Sequence, residues 1–120
     1  MGSDSTLWYS FEAGPVHMIM LCSYADYAAR SVQMAWLRDD IGTIDRSKTP
    51  WVFAVWHTPW YTSNHHHPMK EGAGMRAAME ELLHEAGVKV AINGHVHAYE
   101  RTYPVYDVSS QQAALCVSPR

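Results

Sequence analysis

The sequence predicts an α/β fold built on a mixed, largely parallel sheet with flanking helices, and three features predict it. Apolar runs of strand length occur at residues 16–21, Trp51–Trp56 and 88–92. Between them lie two stretches with apolar residues at helical spacing, and Gly or Pro separates one segment from the next. An order of strand, helix, strand, helix, strand implies parallel pairing through right-handed crossovers.

Residues 7–11 are aromatic and extended in character, and Gly14-Pro15 separates them from the run at 16–21, so the two predict adjacent strands, as in a hairpin. From Ser31, Met34, Leu37, Ile41 and Ile44 recur at i, i+3, i+7 and i+10, with Arg38, Asp39, Asp40 and Asp45 on the other faces. This predicts an amphipathic helix ending near Asp45. A polar connection leads to Trp51–Trp56, which reads as a fully buried strand delivering His57 at its C-terminal end. Residues 57–72 contain Pro59, Asn64, Pro68 and Gly72 without periodicity, and so predict a long loop. Met75, Met79, Leu82, Leu83 and Ala86 mark a second helix stopped by Gly87 at C′, the methionines serving as core packing. The strand at 88–92 is broken by Asn93-Gly94, a further strand is expected at 103–108, and residues 109–120 read as an irregular tail.

Composition narrows the function. The chain has 120 residues, 48% hydrophobic and 18% charged, which suits one packed domain and excludes fibrous or low-complexity classes. Its richest apolar run is far short of the roughly 18 residues of a membrane span, so no membrane partner is expected. A net charge of −3 without a basic run lacks the footprint of a nucleic-acid binder. Cys22 and Cys116 form no CxxC pair and leave the redox compartment open. No basic region followed by an apolar one opens the chain, so no signal peptide is read.

Histidine is in excess: eight in 120 residues, about three times the usual share of roughly 2%, with five between His57 and His97. His57 and the pair His95/His97 fall at the carboxyl ends of successive parallel strands, where open sheets gather ligands. In extended backbone His95 and His97 would face one side, and Gly94 would let the chain turn closely. Three converging imidazoles point to a transition metal. The run His65-His66-His67 reads as a solvated loop or a second functional element. His84, beside Glu80, Glu81 and Glu85, reads as a solvated face, and His17 as a strand residue.

GHVHAYER at 94–101, preceded by AVWHTPWYTSN at 54–64 and the histidine loop, resembles the C-terminal half of the catalytic domain of purple acid phosphatases, within the calcineurin-like metallophosphoesterases. WYSFEAGPVHMIMLCSY at 8–24, the helix start at 33–37 and KTPW at 48–51 extend the resemblance over roughly residues 7–106. It implies part of an αββα sandwich and a dinuclear centre of Fe(III) with Zn(II), Mn(II) or Fe(II). His57 and His95 would ligate the divalent ion and His97 the Fe(III). Two loop histidines would bind the substrate phosphate and protonate the leaving group: counting from His57 favours His66 and His67, matching on Asn64 favours His65 and His66, and both remain open. Two metals about 3.5 Å apart would polarise the phosphoryl group and acidify a bound water. The implied partner is a phosphate ester, with secretion or vacuolar delivery and a homodimer for the longer protein.

The chain departs from the family's five blocks. The DxG, GDxxY and GNH blocks have no counterpart, the tripeptide Asp40-Ile41-Gly42 lying inside the expected helix, so three of the seven implied protein ligands remain, and Ala54 replaces the Val of VxxH. The expectation is a partial catalytic domain over 1–120, lacking the N-terminal half and inactive alone, with an apolar edge and face left uncovered. Two alternatives accompany it: another calcineurin-like phosphodiesterase or nucleotide pyrophosphatase, and a non-catalytic truncated relative.

Overall fold

The computed structural model describes residues 5–107. The expected tail at 109–120, with Cys116, lies outside the described residues, as does Val108. Four strands and two helices follow in the order β1 (Tyr9–Ala13), β2 (Val16–Met20), α1 (Val32–Thr43), β3 (Trp51–Trp56), α2 (Ala73–Glu85) and β4 (Val90–Asn93), with a short 3-10 turn at Met69–Glu71 before α2. The sheet order is β1-β2-β3-β4. The β1–β2 hairpin is antiparallel, and β2–β3 and β3–β4 are parallel, so the mixed, largely parallel sheet is as the sequence predicts. No described helix is long and apolar enough to cross a membrane.

Strand alternation assigns the two faces. Ile19 and Leu21 after β2, and Val52, Ala54 and Trp56 of β3, pack with Met34 and Leu37 of α1 and Met75, Met79 and Leu83 of α2 in one core, so both helices cover the same face. The Ser31 hydroxyl caps α1 by accepting from the Met34 amide at 3.3 Å. Gln33, 1% exposed, accepts from the Cys22 amide at 2.7 Å and donates to its carbonyl at 3.1 Å, fixing the chain as it leaves β2.

Several elements differ from expectation. Helix α1 does end near Asp45, at Thr43 with Ile44 as its cap, but its faces differ. Asp40 faces the core, not solvent: its carboxylate accepts from the Ser10 hydroxyl and lies 2.9 Å from Nε2 of buried His17, a partner 23 positions away that makes burial tolerable. The last strand begins at Val90, because the Val88 amide is held by the Leu83 carbonyl at the end of α2. Residues 103–107 form no strand. Instead Tyr106 stacks on His84 at 3.9 Å, so that imidazole is exposed yet packed.

Nor is β3 buried on both sides. Tyr9 and Phe11 of β1, Met18 and Met20 of β2, Trp51, Phe53 and Val55 of β3 and Val90 and Ile92 of β4 share the face opposite the helices by register. Trp51 is 52% and Phe11 47% exposed, and no described element covers them. Exposed apolar surface of this kind favours association. The folded chain is expected to bind an apolar fluorescent dye and to self-associate in analytical ultracentrifugation, and replacing Phe11 and Ile92 with Lys is expected to reduce both without loss of secondary structure.

After α1, the Asp45 carboxylate accepts from the Ser47 amide at 3.0 Å and hydroxyl at 2.6 Å, and the Asp45 carbonyl takes the Lys48 and Thr49 amides. The Ser47 hydrogen bonds, aided by Lys48, hold the Asp45 carboxyl below the usual aspartate value. A lowered folded value gives stability that is present above the unfolded aspartate range and lost as pH falls through the folded one. An NMR titration is expected to place the Asp45 midpoint below an unperturbed aspartate, and Ser47→Ala is expected to raise it.

Candidate metal centre

The parallel strands β2, β3 and β4 end at one edge of the sheet, and the candidate site stands on that edge. In β3 the alternation that buries Trp56 turns the next residue outward, leaving His57 exposed. Trp56 pairs with Asn93 in register, and the pairing runs one step further as the Gly94 amide donates to the His57 carbonyl at 3.0 Å. A Cβ on Gly94 would lie 3.3 Å from Nδ1 of His57, so the close approach suits glycine. Next to it His95 has φ +67, a left-handed conformation that costs a non-glycine residue on the order of 1 kcal/mol. His95 and His97 are therefore not on consecutive outward positions of an extended strand, as the sequence led one to expect. The strand has already ended at Asn93.

That turn aims the His95 ring. Its Nδ1 lies 3.0 Å from Nε2 of His57, the two rings meeting edge-on at 74°, and its Nε2 lies 2.8 Å from Oε2 of Glu71. The other side of the His57 ring packs against Tyr24, from the segment after β2, at 5.8 Å. His67 packs on His95 at 4.2 Å between ring centroids, with Nδ1 3.4 Å from the same Glu71 oxygen. The hydrogen bond from His95, with the charge of His67 adding to it, holds the Glu71 carboxyl below the usual glutamate value.

Glu71 carries no periodic signal in the sequence. It closes the 3-10 turn, and its position follows from the next residue: a Cβ on Gly72 would lie 2.5 Å from the Pro59 carbonyl oxygen. Only glycine lets the returning loop seat there, which brings Glu71 back over the strand ends.

The histidine loop is held by side chains. Asn64 Oδ1 accepts from the His66 and His67 amides, each at 2.9 Å. Glu100 clamps the loop from the opposite side, accepting from the Thr62 hydroxyl at 2.9 Å and the Ser63 amide at 2.7 Å. Its place within GHVHAYER was visible in the sequence, but its partners 37 and 38 positions upstream were not.

The result is an open depression of about 360 Å³ lined by Asn64, His66, His67, His95, Val96, His97 and Ala98. Of the expected ligands, His57 and His95 are brought together, and exposed His97 lines the depression. Of the loop histidines, His66 and His67 face it, whereas His65 is exposed outside its lining. The tightest group of potential donor atoms is His67, Glu71 and His95, within 4.8 Å of one another. Imidazole nitrogens and a carboxylate at this spacing fit a zinc, manganese or iron ion.

A family model for calcineurin-like phosphoesterases matches residues 10–99. The chain belongs to the calcineurin-like phosphoesterase family. Among its relatives are two purple acid phosphatases of Arabidopsis thaliana, numbers 15 and 18, at 50% identity over 106 residues and 52% over 101, covering 88% and 84% of the chain. The phosphoenolpyruvate phosphatase of Allium cepa is 41% identical over 88% of it. The chain spans 20%, 23% and 22% of those three proteins. The solved purple acid phosphatase PPD1 from yellow lupin seeds superposes over 83% of the chain and 18% of its own, with TM-score 0.72 and 28% identity. This calcineurin-like phosphoesterase chain thus shares the mixed sheet and flanking helices of a purple acid phosphatase, and its histidines stand on the metallophosphoesterase part of the fold.

Glu100→Ala is expected to free the loop while leaving the core folded. Each hydrogen bond to the carboxylate is worth about 1.5 kcal/mol, and the Ser63 amide loses one. In hydrogen–deuterium exchange, the Ser63 amide and its neighbours in the loop are expected to exchange about tenfold faster, with β3 unchanged.

Proposed function

We propose that this chain carries the histidine part of the active site of a purple-type acid phosphatase, which hydrolyses phosphate monoesters at a dinuclear metal centre. One observation carries the reading: nitrogens of His57 and His95, just past the ends of adjacent parallel strands, lie 3.0 Å apart beside a depression lined by His66, His67 and His97. His57 and His95 would hold the divalent ion and His97 the iron. Bound there, the metals supply charge to a phosphoryl oxygen and an acidified water as nucleophile.

The chain's own groups have separate tasks. His66 and His67 line the depression, and their ring N–H groups would hydrogen-bond a phosphate, one of them supplying the proton that leaves with the alcohol. Glu100 and Asn64 hold those rings by fixing the loop backbone. The relatives named for phosphatase activity favour a monoester over the phosphodiester reading.

The same reading implies that the isolated chain is inactive. Without the DxG, GDxxY and GNH blocks it lacks the aspartates, tyrosine and asparagine that the family uses to hold and bridge the two ions, since its Asp-x-Gly at 40–42 lies in α1 with Asp40 paired to His17. Neutral imidazoles alone leave most of the metal charge uncompensated.

Calorimetry with Zn(II) tests the site. His57→Ala and His95→Ala are each expected to weaken binding at least tenfold, with His84→Ala unchanged. The metal-loaded chain is expected to hydrolyse p-nitrophenyl phosphate no faster than buffer. Zinc binding indifferent to His57 and His95 would remove the proposed site, and turnover by the 120 residues alone would remove the claim that they are insufficient.

A further inference from the structure

The proposed ligand His95 makes two contacts that cannot be chosen independently. A neutral imidazole has one N–H and one lone pair, on different nitrogens, and an ionised carboxylate only accepts. The 2.8 Å contact from Nε2 to Glu71 therefore calls for the proton on Nε2. With the proton there, the lone pair of Nδ1 is the one turned to His57, whose Nε2 lies 3.0 Å away. In that contact His57 Nε2 is the donor. Two nitrogens about 2.0–2.1 Å from one tetrahedral ion stand roughly 3.3 Å apart, so the pair receives a cation with a small opening and transfer of the His57 proton from Nε2 to Nδ1 of its exposed ring.

We infer that Glu71 is a positioning residue for the metal centre: it holds His95 in the Nε2–H tautomer and so presents Nδ1, with His57 Nε2, as the ligand pair. This rests on the assignment of His57 and His95 as ligands made above. The arrangement is that of a metal-ligating histidine whose remote N–H is taken by a carboxylate, which fixes ring orientation and raises basicity.

The competing arrangement uses the same atoms differently. If His67, Glu71 and His95 bound an ion through Nε2 of His95, the His95 proton would move to Nδ1 and donate to His57, removing the His57 lone pair from metal binding. One ring cannot serve both schemes. The contacts favour the first, since the His67 nitrogen is 3.4 Å from the carboxylate, whereas the His95 nitrogen lies at 2.8 Å. The left-handed backbone at His95 and the glycine-dependent seating of Glu71 by Gly72 both serve to bring these two groups together.

Long-range ¹H–¹⁵N spectra of the metal-free chain at pH 8, where imidazole is neutral, read the tautomer without any metal. The expected result is an Nε2–H form for His95 in the wild type and in Glu71→Gln, whose amide oxygen can still accept, and a mixture in Glu71→Ala. Zinc calorimetry then separates the roles. Glu71→Ala is expected to weaken binding 10- to 100-fold, Glu71→Gln to restore most of it, and His67→Ala to change it less than threefold. An Nδ1–H form for His95 in the wild type overturns the inference. So does a loss on His67→Ala equal to that on Glu71→Ala with no effect of His57→Ala, which would make Glu71 itself a ligand. Failure of the ligand assignment alone appears differently, as zinc binding indifferent to both His57 and His95 while the tautomer still answers to Glu71.

Discussion

The parallel register between β3 and β4 is the constraint on which the site depends. Pairing Trp56 with Asn93, and continuing through the Gly94 amide to the His57 carbonyl, brings two imidazoles 38 positions apart within hydrogen-bond distance. Strand parity does the rest: Trp56 points into the helix-covered core and stacks on Trp60 at 4.1 Å, so its successor must point out. A slip of one residue would bury His57 and expose Trp56, which makes register and site a single choice. The core holds that choice, since Val52, Ala54 and Trp56 anchor β3 through the same contacts that seat α1 and α2.

What the sequence made legible follows from how local each signal is. The core strands announced themselves by apolar runs and both helices by period, and His57 by its place at the end of such a run. Asp40 was misjudged because its reason for being buried, His17, lies in another element, and no periodicity reports a pair that satisfies itself across a fold. Glu71 was missed for a similar reason. Its position is set by a close backbone contact between Gly72 and Pro59, and a glycine that permits a contact looks in sequence like any loop glycine. His95 was expected in extended backbone, yet the strand had ended. The left-handed turn there is a strain that only surrounding contacts maintain, as strained residues at functional sites commonly are.

The sheet shows two unequal faces, and they bear differently on function. The helix side carries the buried core, whereas the opposite side presents aromatic and aliphatic residues from all four strands to solvent. The relatives that resemble this chain at about 50% identity are roughly four times as long, so they have ample chain to cover such a face. The strand ends take their register from the ladder and from the helix side. The geometry of the histidines therefore does not wait on what covers the open face, although the solubility of the chain does.

Geometry and charge are thus separable at this site. Strand register and the loop's own hydrogen bonds place His57, His95 and the loop histidines, and a carboxylate, Glu71, stands among them. If Glu71 is used to orient His95, it is an indirect partner and leaves the ions facing neutral imidazoles. A pair of multivalent cations cannot be held closely by neutral donors alone, because their mutual repulsion at about 3.5 Å requires an anion between them. On the proposed reading these 120 residues supply direction and proton transfer, and the anionic bridge that would make two metals stable neighbours must come from the aspartate-bearing motifs they lack.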